Sequence, residues 1–443
     1  MKINYIKLAE LDVFKRKKLT ERPNVGIRDL IPKIIPIIED VRIKGDKALT
    51  DYTLKFDGAR MNPKDLRVAL ETMDLALRQI TPELKDAIEI SIANITKFHN
   101  FQKEPEIREI EIMPGIVAGE RTIPLSSVGL YIPRGKGSFP SMMMMASIPA
   151  KVAGVKRIVA VSPPDRFGKP DSATLAAAAM IGVDEFYAVG GVQAIAALAY
   201  GTETIAAVDK IVGPGSGFVL AAKQWLSTEI DTGLPAGPSE AIVLADHSID
   251  AVTAVTDLLI EAEHGPDSSA YLVTPDAALA EEAIKVIPRL VSRLPSERRS
   301  YCEAVLKNSG GVILAADMQD AISFVNEFAP EHLQALIVDP RSILTKIFTA
   351  GEILLGTFTP GTLANYSIGP NAILPTSGFG RTASALSVRD FTRKMSFAEV
   401  SRTGFASLAP KTLTLARYEG FAAHAAALEH RLDADVEKPG NKG

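Results

Sequence analysis

The chain has six histidines, His99, His247, His264, His332, His424 and His430, and three of them stand close to a glutamate. A carboxylate and an imidazole held together can grip a divalent metal, because oxygen and ring nitrogen both suit zinc. They can also pass a proton to and from a reacting group. Glu261 and His264 fall in Leu258-Leu-Ile-Glu-Ala-Glu-His-Gly-Pro-Asp267, which reads as the last turns of an amphipathic helix. Three residues apart, they leave one helix face together. Gly265-Pro266 is a strong stop, glycine permitting a left-handed exit and proline barring continuation. The same pair on an exposed face is equally an ordinary solvated contact. Glu331 and His332, in Ala329-Pro-Glu-His-Leu333, sit at the mouth of a strand. There they either reach one cleft as paired proton carriers or lie solvated at the strand entry. In Glu419-Gly-Phe-Ala-Ala-His424 the two groups are five apart on a helical stretch.

The elements that must position these groups form a regular series. Residues 1 to about 105 read as mostly helical. Ile31, Ile34, Ile35 and Ile38 make one stripe, and a second long helix over 82–101 places Leu84, Ile88, Ile92 and Ile95 on one face. Glu109–Ile112 alternates like a strand. From Val128 to about 235, strands near 128–133, 157–161, 185–189 and 210–212 alternate with helices at 141–153, 172–180, 192–199 and 218–225. A second round follows, with strands at 240–245, 270–274, 311–314 and 333–338 and helices at 251–264, 277–286 and 318–328. Helices between short apolar strands argue a parallel sheet with crossover helices. From about Leu386 the chain reads as helical again, ending in a charged tail, 433–443, expected to fray. The fold expected is α/β, with two Rossmann-like, incomplete and duplicated units, a helical N-terminal region and a helical C-terminal arm. The expected boundaries are 1–127 plus 237–385 for the first unit, 128–236 for an inserted second, and 386–443 for a dimerisation arm.

Two glycine turns lie where strands run into helices. Gly213-Pro-Gly-Ser-Gly217 is placed to offer backbone amides and a helix N-terminus to a phosphate, but it is not the dinucleotide fingerprint. Gly190-Gly-Val-Gln193 adds a polar side chain to a first helical turn. Both read equally as tight turns without a ligand. Met142–Met145, in a helix of small residues, suits flexible core or interface filler.

Composition narrows the classes. At 443 residues, 47% hydrophobic and 23% charged, the chain reads as an ordinary soluble globular protein of two or three domains. A net charge of −4 gives no electrostatic reason to expect nucleic acid or an anionic membrane. One cysteine, Cys302, allows no internal disulfide and no thiolate metal site. The opening Met1-Lys-Ile-Asn-Tyr-Ile lacks the apolar run of a signal peptide, and no run of about 18 apolar residues suggests a membrane span. A cytoplasmic protein is expected.

Taken together, several segments resemble the histidinol dehydrogenase family over essentially the whole length. They are Val128-Gly-Leu-Tyr-Ile-Pro133, Ala188-Val-Gly-Gly-Val-Gln-Ala-Ile-Ala-Ala-Leu-Ala199, Lys210-Ile-Val-Gly-Pro-Gly215, Pro235-Ala-Gly-Pro-Ser-Glu240, Ala262-Glu-His-Gly-Pro-Asp267, Pro330-Glu-His-Leu333 and Leu374-Pro-Thr376. The resemblance implies a homodimeric, zinc-dependent enzyme that oxidises an alcohol through a bound aldehyde to a carboxylate, using two NAD in turn. By the same resemblance His264 and His424 match zinc ligands, the latter supplied by the partner subunit. Glu331 and His332 match the catalytic pair, Ser239 and Glu419 match substrate contacts, and Tyr131 and Gln193 match cofactor contacts.

The chain also departs from the family pattern. Glu261 stands where the family has a Gln zinc ligand, and Asn365 where it has an Asp ligand. Ala372 replaces a substrate-touching His, and Ser216 a cofactor-touching Asn. The first two exchanges compensate, each set offering one carboxylate and one amide. A zinc site of Glu261, His264, Asn365 and His424 is therefore expected. A pocket wall without its imidazole loses a polar contact, so the expected substrate is a small alcohol other than L-histidinol. The alternatives are a genuine histidinol dehydrogenase with a rearranged pocket, or a silent homologue that keeps only the fold. In the expected mechanism His332, as neutral imidazole, takes the alcohol proton, and Glu331 later activates water.

Overall fold

The computed structural model describes residues 1–22, 27–134 and 137–436, so the end of the charged tail lies outside the described residues. In chain order the strands are β1 (Tyr5–Lys7), β2 (Arg67–Val68), β3 (Ile107–Met113), β4 (Ile116–Pro124), β5 (Ser127–Tyr131), β6 (Arg157–Ser162) and β7 (Glu185–Ala188). They continue with β8 (Ile211–Val212), β9 (Glu240–Ala245), β10 (Ser269–Thr274), β11 (Gly310–Leu314), β12 (His332–Leu336), β13 (Glu352–Leu355) and β14 (Thr392–Val400). The chain divides into two compact units, Met1–Lys103 with Leu125–Phe391, and Glu104–Pro124 with the segment from Thr392 onward.

The first unit holds the two sheets that the strand–helix rhythm predicts. One has the order β2-β7-β6-β5-β8, with β5 to β8 mutually parallel and β2 antiparallel at the edge. Its strands are buried on both faces, which is why they read as short apolar runs rather than alternating ones. Crossover helices such as Ser172–Ile181 are almost wholly Ala and Leu inside and are bounded by an Asp171 N-cap and a left-handed Gly182. The N-terminal helices Ile27–Lys44, Leu70–Gln79 and Pro82–Phe101 pack over these crossover helices. Ile34 and Ile38 are completely buried there, each contributing on the order of 2 kcal/mol. Met143, Met144 and Met145 are core, while Met142 is only partly buried.

The second sheet is parallel throughout, β1-β11-β10-β9-β12-β13. The edge strands β1 and β13 and the helix Ser296–Asn308 are additions to the elements expected from sequence. In both sheets the chain works outward on one side and then jumps to the other. The reversals fall between β5 and β8 and between β9 and β12, and such switch points open crevices for ligands.

In the second unit, β3 and β4 form a hairpin that β14 joins antiparallel, Thr392 opposite Pro124 and Val400 opposite Ile116. The C-terminal arm expected to be helical from Leu386 therefore opens with a strand before its helices, Arg402–Tyr418 and Ala422–Val436. Its pairing partner lies some 270 residues earlier, and its own residues show no clean apolar alternation. No helix among the described residues is long and apolar enough to cross a membrane.

Candidate active site

The carboxyl edge of the first sheet and the amino edge of the second border one cavity of about 310 Å³. The loops after β5 and β8 supply Arg134 and Ser216, and the residue before β9 supplies Ser239. The end of the helix Ala251–Ala262 brings Glu261 and His264, the entry to β12 brings Glu331 and His332, and the short helix Gly361–Tyr366 brings Asn365, with Ala372 on the wall. Eight of the twelve expected site residues thus meet. Tyr131 and Gln193 lie nearby in sequence to this edge but do not line the cavity. Glu419 and His424 belong to the second unit, where with Phe421 they border a separate groove.

The helix carrying Glu261 starts at an Asp250 N-cap and buries Leu258, Leu259 and Ala262 as its periodicity requires. It stops at Ala262, two residues early, and Gly265 is not left-handed as expected. Instead the His264 N–H closes a tighter turn on the Glu261 carbonyl at 3.3 Å. Glu261 is 3% exposed. Its Oε1 accepts from Asn365 Nδ2 at 3.0 Å, and its Oε2 lies 3.3 Å from His264 Nδ1. Burial alone would push this carboxyl up, yet His264, His332 and the hydrogen bonds from Asn365 and Ser239 hold it below its ordinary value. His264 Nδ1 also lies 2.9 Å from the Ile260 carbonyl. A proton on Nδ1 serves that carbonyl and leaves Nε2 as an acceptor.

Glu331 and His332 are 7% and 6% exposed. Glu331 Oε2 accepts the Glu240 N–H at 2.9 Å. Burial pushes Glu331 well above the carboxylate range, with Glu261 and Glu240 adding to the effect and His332 opposing it. His332 Nε2 is 3.7 Å from Glu331, while Nδ1 is 2.6 Å from Glu352 Oε1. Burial disfavours the imidazolium, but Glu261, Glu331 and Glu352 outweigh it and raise the ring's pKa above its ordinary value.

The approach to this pair is strained. Ala329 takes the left-handed region with φ 54°, at a cost of about 1–2 kcal/mol for a residue with a Cβ. Arg22 holds it there, donating to the Ala329 carbonyl at 3.1 Å and, in a fork, to Glu240 at 2.8 and 2.7 Å. The guanidinium lies 3.7 Å above the Phe328 ring. Sequence reading assigned no role to Arg22, Glu240 or Glu352. Glu240 closes the Pro235–Glu240 segment already noted. The other two carry no local signal.

At the carboxyl edge of the first sheet, Tyr131 Oη accepts the Gly191 N–H at 3.2 Å. Two residues on, Gln193 is fully buried and neither carboxamide atom has a hydrogen-bond partner. A buried amide without partners is costly, so the slot suits a ligand carrying both donors and acceptors. Gly213 has φ +117°, and a Cβ there would lie 2.1 Å from the Tyr131 carbonyl oxygen. Ser216 is the N-cap of the helix Gly217–Leu226 and spends no side-chain hydrogen bond on it. Partnerless amide, close glycine loop and helix N-terminus at a switch point fit a dinucleotide.

For a metal, the cavity offers an ionised carboxylate, an imidazole with Nε2 presented, and an amide. These donor types fit zinc, but as an incomplete set. Among the described residues no three His, Cys, Asp or Glu side chains gather on one point.

The sequence profile described as Histidinol dehydrogenase matches residues 20–432. A histidinol dehydrogenase of Synechocystis sp. is 47% identical over 426 residues, covering 96% of this chain and 98% of that protein. A "histidinol dehydrogenase homolog" of Rhizobium meliloti is 45% identical, covering 98% and 96%. The crystal structure of histidinol dehydrogenase from Elizabethkingia anophelis superposes with a TM-score of 0.93 at 35% identity, covering 98% of this chain and 99% of that one.

Proposed function

The chain belongs to the histidinol dehydrogenase family of NAD-dependent oxidoreductases, and from that premise we propose that it oxidises a small alcohol other than L-histidinol, through a bound aldehyde, to the carboxylate. The observation that carries the reading is the meeting of Glu331 and His332 with Glu261, His264 and Asn365 in one cavity. A silent homologue has no physical need to keep so many ionisable groups buried, since each is costly without a task.

Glu261, His264 and Asn365 would hold the metal, with His424 contributed by a second copy of the chain. Ser216, Tyr131 and Gln193 would hold the dinucleotide, and Ser239, with Glu419 of a second copy, the substrate. When bound, zinc would supply Lewis-acid polarisation of the substrate oxygen, and NAD would supply the hydride acceptor. His332 takes the alcohol proton at Nε2, the nitrogen not engaged by Glu352. Glu261 is the largest of the charges that raise the pKa of His332, and a cation held by Glu261 would offset it and favour the neutral ring a base requires. Glu331 takes the proton of the water that adds to the aldehyde. The burial that raises its pKa makes it a stronger base than a solvated carboxylate.

The choice of substrate rests on Ala372. It sits with Ile373 and Leu374 on an apolar wall and offers no polar atom beyond the backbone. The second reading, a genuine histidinol dehydrogenase, is favoured by the 47% identity to the Synechocystis protein of that name. Two copies are favoured by the second unit, whose Ile107, Ile110, Ile112, Leu415 and Phe421 are exposed in a single chain. NADH absorbance with zinc-loaded protein and a panel of alcohols, including L-histidinol, small polyols and sulfonated diols, tests the reading. Turnover of one non-imidazole alcohol well above L-histidinol is expected. Preference for L-histidinol would establish the second reading, and no turnover of any alcohol would refute both.

A further inference from the structure

Strand β13 begins directly beside β12, in parallel register, with His332 opposite Glu352. Each is the first residue of its strand, so their side chains leave the same sheet face at the same level. His332 Nδ1 and Glu352 Oε1 are 2.6 Å apart, and the side chains are 7% and 9% exposed. The backbone completes the grip. The Glu352 N–H donates to the Glu331 carbonyl at 3.0 Å, and the Gly351 N–H to the Pro330 carbonyl at 2.9 Å. A Cβ at position 351 would stand 2.6 Å from the Glu331 carbonyl oxygen, so glycine is what lets the strands approach this closely. Gly351-Glu352 therefore fastens both members of the Glu331-His332 pair, one by its backbone and one by its ring.

We propose that Glu352 is the positioning residue for His332, a buried carboxylate that fixes the proton on Nδ1 and the ring's rotamer so that Nε2 faces the cavity. The inference rests on the reading of His332 as the proton carrier. A neutral imidazole without such a partner exchanges between two tautomers and turns about its side-chain bonds, and only one arrangement presents an acceptor at Nε2. A carboxylate that orients an imidazole from behind touches no substrate and still governs the rate. Glu352 is one carboxylate among 53 acidic residues and is placed by cross-strand register alone, so no local motif marks it.

The test uses full-length protein carrying Glu352→Gln, Glu352→Ala or the shorter carboxylate Glu352→Asp. Nitrogen-15 spectra of histidine-labelled, zinc-loaded protein read the tautomer of His332, assigned with His332→Ala. The expected result is one Nδ1-protonated species in the parent chain, a changed or mixed tautomer in Gln and Ala, and partial return in Asp. In the zinc-loaded enzyme kcat should fall at least tenfold in Glu352→Gln with KM changed less than threefold. Glu352→Gln should add no further loss in a His332→Ala background. An unchanged His332 spectrum, or kcat within twofold in both Gln and Ala, would overturn the proposal, as would losses that multiply in the double variant. Full activity of His332→Ala alone would instead overturn the proton-carrier reading itself.

Discussion

Asn365 turns its amide nitrogen toward Glu261, Nδ2 donating to Oε1 over 3.0 Å, so the amide orients the buried carboxylate and favours its ionised form. By the resemblance, Glu261 and Asn365 stand for a Gln and an Asp, and the contact brings these two positions together. Glu261→Gln alone leaves two amides and no carboxylate. Zinc affinity, measured by competition with a chelator and by metal content, should fall roughly 10–100-fold. Adding Asn365→Asp should restore it to within a few fold. Affinity indifferent to Glu261→Gln and to His264→Ala would remove both residues from the metal site.

If His332 moves the alcohol proton as proposed, its loss should impair both oxidation steps. His332→Ala is expected to lower kcat on the order of 10²–10⁴-fold whether the reaction starts from alcohol or aldehyde. Glu331→Gln should spare the first hydride transfer more than the second and release measurable aldehyde. Equal loss at both steps in Glu331→Gln would take water activation away from Glu331.

Ala372 is 8% exposed and lies between Asn371, whose side chain is fastened to the Met145 carbonyl and to His99, and the apolar Ile373. Asn371 is thus engaged elsewhere and Ile373 is apolar, so neither neighbour offers the polar contact an imidazole would. Ala372→His should raise kcat/KM for L-histidinol by about tenfold or more relative to the preferred alcohol. An unchanged ratio would place substrate discrimination elsewhere.

Much of this was legible in the sequence because the deciding signals are local. The apolar stripe of Leu258, Leu259 and Ala262 marks the helix that carries Glu261, and the strand–helix rhythm from Val128 yields both parallel sheets. What stayed hidden depends on distant pairing. Glu352 meets His332 through strand register, Arg22 reaches Glu240 across 218 residues, and β14 finds β4 across a comparable gap. None of these segments carries a periodic pattern or turn residues that announce the partner. The upward shift of His332 likewise comes from Glu261, Glu331 and Glu352, which only the fold assembles.

Beneath the site, Asp257 is 8% exposed and accepts from Gln334 Nε2 at 2.6 Å. Burial, only partly offset by that hydrogen bond, raises its pKa from 3.8 to about 6. The folded state thus holds this proton more tightly than the unfolded chain. The stabilisation is fully present below about pH 3.8 and is lost as pH rises through 6, up to roughly 3 kcal/mol. Asp257→Asn, which cannot ionise, should therefore melt higher than the parent at pH 8 and close to it at pH 4. A variant less stable at pH 8 than at pH 4, relative to the parent, would show that Asp257 is stabilised as the anion.

The account stands or falls on a two-step oxidation in one site, and the stoichiometry of a completed reaction measures it most directly. Zinc-loaded protein, excess NAD and a limiting amount of the preferred alcohol should give two NADH and one carboxylic acid per alcohol consumed, without free aldehyde at any time. One NADH per alcohol, with the aldehyde accumulating in solution, would contradict the account.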